Sequence, residues 1–163
     1  MVEPEYLTFT ALEDTTFTFT QNALQYSLDN GTTWTTLAAN TASPTVTAGN
    51  KILWKQTGLT PRTSYPNPGI GTFSATGNYN ASGNIMSLYY GDNFAGQTDL
   101  TGKNYAFLKL FKDNTKLINV ENLILPATTL ANDCYKQMFY NCSSLTTVFN
   151  ILPALTLKQN CYR

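Results

Sequence analysis

Phe111-Lys-Asp-Asn-Thr-Lys-Leu117 returns 28 residues later as Phe139-Tyr-Asn-Cys-Ser-Ser-Leu145. Leu125-Pro-Ala-Thr-Thr-Leu130 returns as Leu152-Pro-Ala-Leu-Thr-Leu157 and Cys134-Tyr135 as Cys161-Tyr162, both at an offset of 27. Phe, Leu, Pro and Cys recur while the polar residues between them vary. A fixed period of this size marks units that bury their apolar faces only by stacking on one another. Residues 107–163 therefore predict the start of a solenoid, with Phe111, Leu117, Leu130, Phe139 and Leu145 as its structural positions. The second unit stops at Arg163, where the first has Lys136, ahead of any counterpart of Met138-Phe139. A last coil of that kind leaves an apolar edge that terminal repeats ordinarily cap, so further repeats are expected in the native chain.

Tyr135, Tyr140 and Tyr162 alternate with polar residues inside the repeat. They form the candidate binding surface, because tyrosine supplies contact area at low entropic cost. Half-burial on the flank of a coil is the competing structural reading. The stretches Met138-Phe139-Tyr-Asn-Cys142-Ser-Ser-Leu145 and Leu125-Pro126-Ala-Thr-Thr-Leu130 resemble the BspA-like leucine-rich repeats of gut Bacteroidetes surface proteins and of phages infecting those bacteria. The resemblance extends upstream to Gly49-Asn-Lys-Ile-Leu-Trp54-Lys and Gly83-Asn-Ile-Met-Ser-Leu-Tyr-Tyr90-Gly-Asp-Asn-Phe94, which are similar to stretches of the β-rich modules that precede such arrays.

Ahead of the repeat, residues 6–20 alternate apolar side chains with threonine, interrupted by Glu13-Asp14, and predict two half-buried strands joined by a tight connection. Leu24, Tyr26 and Leu28 continue the alternation into Asp29-Asn-Gly31, a strong hairpin signal, with Thr33–Leu37 as the return strand. Pro44–Ala48 and Lys51–Lys55 flank Gly49-Asn50 and predict a second hairpin. Residues 57–71 hold three of the seven prolines and read as loop. Strands are expected again at Thr72–Thr76 and Ile85–Tyr90, after a turn-rich 77–84. The apolar spacing of Tyr105–Phe111 suits a short helix capping the repeats. The fold class is thus mostly β: an Ig-like β-sandwich at 1–92, a connector at 93–106 and a leucine-rich-repeat solenoid with short helices beginning at 107–163.

Ser27-Leu-Asp29-Asn-Gly31-Thr-Thr-Trp34 fits the Asp-box pattern Ser-x-Asp-x-Gly-x-x-Trp and resembles the box repeated in sialidase propellers. That enzyme family also needs several boxes, an arginine cluster and a tyrosine nucleophile with a carboxylate partner. This chain has one box and two arginines, Arg62 and Arg163. Asp29, Gly31 and Trp34 are accordingly read as a local staple: the carboxylate accepts turn amides, glycine supplies the positive φ, and the indole packs beneath the hairpin. Trp54 is expected in the core; exposed, it would offer a sugar-stacking surface.

Chemistry is constrained by what the chain lacks. Its charge is balanced, with ten basic and ten acidic residues and no Lys/Arg run, which argues against nucleic acid. There is no histidine, the commonest general base and metal ligand. The sequence holds 26 Thr and 17 Asn against 12% charged residues, favouring β structure that presents uncharged polar groups. Its ten carboxylates are not spaced as an opposed pair, and Asp92 with Asp99 lacks an EF-hand spacing. Gly69-Ile-Gly71 follows prolines rather than a strand and is no dinucleotide loop. Cys134, Cys142 and Cys161 occupy repeat positions without a histidine, so they read as buried free thiols, with a Cys134–Cys161 disulfide as the rival.

No catalytic residue, cofactor or metal is expected. The N-terminus lacks a basic region followed by an apolar run, and membrane insertion is not expected. A virion protein assembled in the cytoplasm needs no export signal. The leading expectation is therefore a non-enzymatic structural and adhesion protein at a phage virion surface: a head or tail fibre or decoration protein. Its β module attaches, and its repeats bind a surface. Expected partners are other virion or cell-surface proteins and a host-surface glycan or protein, with a homo-oligomer as the fibre-like state. The alternatives are a bacterial cell-surface adhesin and a carbohydrate-binding module using Trp54 or loop 57–71.

Overall fold

The computed structural model describes residues 5–64, 67–149 and 151–162 and is mostly β. Its strands are β1 (Leu7–Ala11), β2 (Phe17–Phe19), β3 (Leu24–Ser27), β4 (Thr35–Leu37), β5 (Lys51–Lys55), β6 (Phe73–Ala75), β7 (Tyr79–Asn84), β8 (Leu117–Asn119) and β9 (Leu123–Ile124). Among the described residues seven of these form one open sheet in the order β4-β3-β5-β1-β7-β8, with β9 also on β7. The other two, β2 and β6, pair with each other.

The alternation in β1 and β2 directs Phe9, Phe17 and their neighbours to one side, where they build an aromatic centre. The Phe9 ring lies 5.2 Å from Phe17, 4.8 Å from Phe73, 4.9 Å from Tyr79, 5.8 Å from Trp54 and 5.9 Å from Phe111. All six rings are buried completely. Tilted and edge-on pairs of this kind contribute about 0.5–1.5 kcal/mol each beyond the area they bury. Phe111 belongs to the first repeat unit and the other five to the N-terminal strands, so the two parts share one core.

The sheet also crosses the boundaries expected at 92 and 107. On one side β7 is antiparallel to β1, with Phe9 opposite Ala81. On its other side it is parallel to β8, with Tyr79 opposite Leu117, and to β9, with Gly83 opposite Leu123. The ladder then passes to the second unit, where the Thr146 N–H donates to the Ile118 carbonyl and the Val120 N–H to the Thr147 carbonyl, both at 2.9 Å. Thus β7 is the first rung of the stack that the repeats continue.

Several local expectations are corrected. Residues 79–84, read as turn, are a strand: Tyr79, Ala81 and Gly83 are buried in strict alternation. The pattern was hidden because its inward set includes an alanine and a glycine. Gly83, at φ +77°, has no room for a side chain, since a Cβ there would fall 2.0 Å from the Tyr6 carbonyl oxygen. Residues 85–90, read as strand, turn instead into a short helix, α1 (Ser87–Tyr90). The Asn84 carboxamide accepts the Met86 N–H at 2.9 Å, and the Ser87 hydroxyl donates to the Trp54 carbonyl while accepting the Leu7 N–H. Ser87 thereby bolts α1 across β5 and β1. The Gly49-Asn50 turn does not join a hairpin: Gly49 and Asn50 bond to Ala11, and Val46 bridges to Thr15. β1 is nearly wholly buried rather than half-buried, and it pairs with β5 and β7, not with β2. The connector is not a bare linker either, because Phe94 and Leu100 are buried and Asp99 pairs in parallel with Thr129.

Candidate functional site

Residues 105–114 do not form the short helix that their apolar spacing predicts. Tyr105, Lys109 and Asp113 all have φ near +60°, and the same left-handed conformation recurs at Asp133, Gln137, Asn141 and Asn160. Asp and Asn, which tolerate that region best, fill four of the seven positions. Each such residue breaks the helix after one turn and leaves the chain as a ribbon of successive turns.

The ribbon divides its donors between two directions. The N–H groups of Ala106, Leu108, Leu110, Lys112 and Asn114 bond three residues back along the chain. Those of Tyr105, Phe107, Lys109, Phe111 and Asp113 donate to the carbonyls of Asn132, Cys134, Lys136, Met138 and Tyr140 in the next unit, at 2.7–3.0 Å. Asp133 and Tyr135 donate onward to Gln159 and Cys161. Each coil therefore needs its neighbour for half of its backbone hydrogen bonds, which locks the 27- to 28-residue register.

Side chains stack in the same register. One aromatic column runs from Phe107 to Tyr135 (5.7 Å, 10° between planes) to Tyr162 (5.5 Å, 14°). A second pairs Phe111 with Phe139 (5.5 Å, 6°), against which Phe149 of the same unit leans at 6.0 Å and 47°. Leu117 and Leu130 are buried beneath these columns, while Leu145 is half-buried. Polar columns accompany them: Asn141 donates to Asp113 at 3.0 Å and Asn160 to Asp133 at 3.3 Å. Lys112, then Asn141, hold the Asp113 carboxyl below the usual range.

The three tyrosines chosen from sequence separate here. Tyr135 does not lie on an exposed face; it is 4% exposed, because it is the middle ring of its column. Burial drives its phenol pKa far up. Tyr140 is exposed, with the Lys112 ammonium 5.5 Å from its ring centre, and Tyr162 is partly exposed at the end of its column. Both border a groove of about 600 Å³ lined also by Leu125, Met138, Phe139, Phe149 and Leu152.

Sequence reasoning missed how far this open face extends. Val120, Leu125 and Leu130 are 0%, 4% and 3% exposed, while their counterparts Val148, Leu152 and Leu157 are 54%, 42% and 65% exposed. The same positions are core in the unit that has a coil above it and surface in the one that does not. The repeat alignment itself carried that signal.

The remaining candidates are structural in position. In the Asp box the Asp29 carboxylate accepts the Thr33 N–H (2.9 Å) and the Ser27 and Thr33 hydroxyls (2.7 Å each). The Thr33 amide bond first, then the two hydroxyls, lower its pKa to about 2. Gly31 has φ +86°, and Trp34 folds back to donate its indole N–H to the Gly31 carbonyl. Lys55, buried, places its ammonium 4.1 Å above the Trp34 ring and 2.7 Å from Asp92, joining the box to the turn Gly91–Asn93 that follows α1. Trp54 is fully buried and offers no sugar-stacking face. Cys134, Cys142 and Cys161 are free thiols, and burial pushes Cys134 up to about 11. Among the described residues no group of three or more carboxylates and cysteines is placed to hold a metal ion, and no helix is long and apolar enough to cross a membrane.

Compared with protein-family models, with curated proteins and with solved structures, the chain has no match.

Proposed function

We propose that this chain is a non-enzymatic structural and adhesion protein of a phage virion, a head or tail fibre or decoration protein. Residues 1–92 are read as an Ig-like sandwich that attaches, and residues 107–163 as BspA-like leucine-rich repeats that bind a surface. The observation that carries this reading is the in-register stack of Phe107, Tyr135 and Tyr162, with the backbone ladder that runs beside it. Such a stack extends a surface one coil at a time without disturbing the coils beneath, a geometry suited to display. Mass spectrometry of purified virions against outer-membrane fractions tests the setting. Virion enrichment is expected; recovery from outer membranes alone would assign the chain to the bacterial surface instead.

A further inference from the structure

A second groove, of about 540 Å³, lies away from the stacked aromatic face. Strand β2's exit, the 39–41 turn, residues 62, 67 and 68 and the first repeat coil meet there. Among the described residues its lining includes Arg62 and Lys109 and no carboxylate. Among the described residues neither cation lies within 4.0 Å of an acidic group, whereas Lys51, Lys55, Lys112 and Lys136 each have one. Three carboxamides, Gln21, Asn40 and Asn67, complete the rim without side-chain hydrogen bonds to other described residues, and the Gln21 Oε1 is buried with no donor facing it.

Hydrogen bonds among the described residues tie the walls to one another. Arg62 and Gly69 exchange both backbone hydrogen bonds, closing the loop at its neck. Thr72 ties the site together, its N–H donating to the Thr20 hydroxyl and its own hydroxyl to the Lys109 carbonyl, each at 2.9 Å. The approach is so close that a Cβ at Gly71 would sit 2.2 Å from the Thr20 carbonyl oxygen.

From this arrangement we propose that the groove binds an acidic sugar, a polyhydroxylated ring bearing a carboxylate. The planar guanidinium of Arg62 offers paired donors that match a carboxylate, and Lys109 adds a second positive charge. Sugar hydroxyls both donate and accept, as the three free carboxamides require. The buried Gln21 oxygen needs such a donor, since an unmet buried acceptor costs about 1–3 kcal/mol. A bare phosphate fits less well: of the lining amides, the N–H groups of Thr20, Asn40, Arg62, Thr72 and Lys109 are bonded within the protein, which leaves only those of Gln21 and Asn67 to meet its oxygens. This site does not depend on the virion assignment and stands on different residues.

The test is a titration of the isotopically labelled, full-length chain with D-glucuronate, followed by amide shifts, with D-glucose and sulfate as comparison probes. Glucuronate is expected to move Gln21, Asn40, Arg62, Thr72 and Lys109 together. Arg62→Gln, at an exposed side chain, is expected to weaken binding by roughly tenfold or more while leaving the remaining spectrum in place. Glucose binding as tightly as glucuronate would overturn the role of charge. Sulfate binding as tightly would overturn the role of the hydroxyls, and shifts absent from the groove would overturn the site.

Discussion

Replacing Phe111 by alanine separates one shared core from two independent ones. The ring is fully buried, stacked on Phe139 at 5.5 Å and reaching Phe9 and Phe73 at 5.9 and 6.0 Å. Deleting such a side chain costs about 3–5 kcal/mol, a large part of the roughly 5–15 kcal/mol that holds a domain folded. For a chain of this length that corresponds to a fall in Tm of roughly 6–20 °C. Trp54 lies in β5 and Trp34 just ahead of β4, so tryptophan fluorescence reports the N-terminal region alone. Phe111→Ala is expected to move the tryptophan transition in urea to lower concentration, in step with the far-ultraviolet signal. Phe139→Ala, at a ring only partly covered, should move it less. A tryptophan transition left in place by Phe111→Ala would refute the reasoning, because the repeats would then unfold without the sheet they adjoin.

Asp29, held at about 2, is expected to keep its hairpin bonds above about pH 4 and lose them as pH falls toward 2, since a lowered carboxyl pKa stabilises only where the group is ionised. The Thr33 amide shift against pH checks this, and a midpoint near 4 contradicts it. Gly83→Ala is expected to yield no folded protein, while Gly49→Ala, at φ +85° with open space around it, should cost only about 1 kcal/mol by urea melting. Equal behaviour of the two would sink the close contact at Tyr6. Cys142 is expected to react first with a maleimide at pH 8, with Cys134 and Cys161 protected until the chain unfolds, because both are buried and Cys134 is pushed up to about 11. Rapid labelling of Cys134 in the folded protein, seen by peptide mass mapping, would contradict this.

What the residues made legible was the repeat and its register. Phe111 over Phe139 and Tyr135 over Tyr162 follow from counting, since stacking units place equivalent positions one above another. The Asp box was equally readable, as its bonds all lie within four residues. The conformation of the coil was not. Apolar residues at 106, 107, 108, 110 and 111 have helical spacing, and nothing local shows that Tyr105 and Lys109 adopt left-handed backbone; the bonds that hold them there come from residues 132–136. The same distance hid β7, whose Asn-Ala-Ser-Gly centre has little strand propensity and is held by β1 on one side and the repeats on the other. For Tyr135, spacing to polar neighbours pointed outward, whereas the coils above and below cover it.

Ring-to-ring nuclear Overhauser effects between Phe111 and Phe139, in a sample with phenylalanine as the protonated aromatic on a deuterated background, address the stacked register directly. The account predicts strong cross-peaks between the two rings, whose planes lie 6° apart at 5.5 Å. Silence between them, with Phe111 showing helix-type contacts to Thr115 instead, would contradict it.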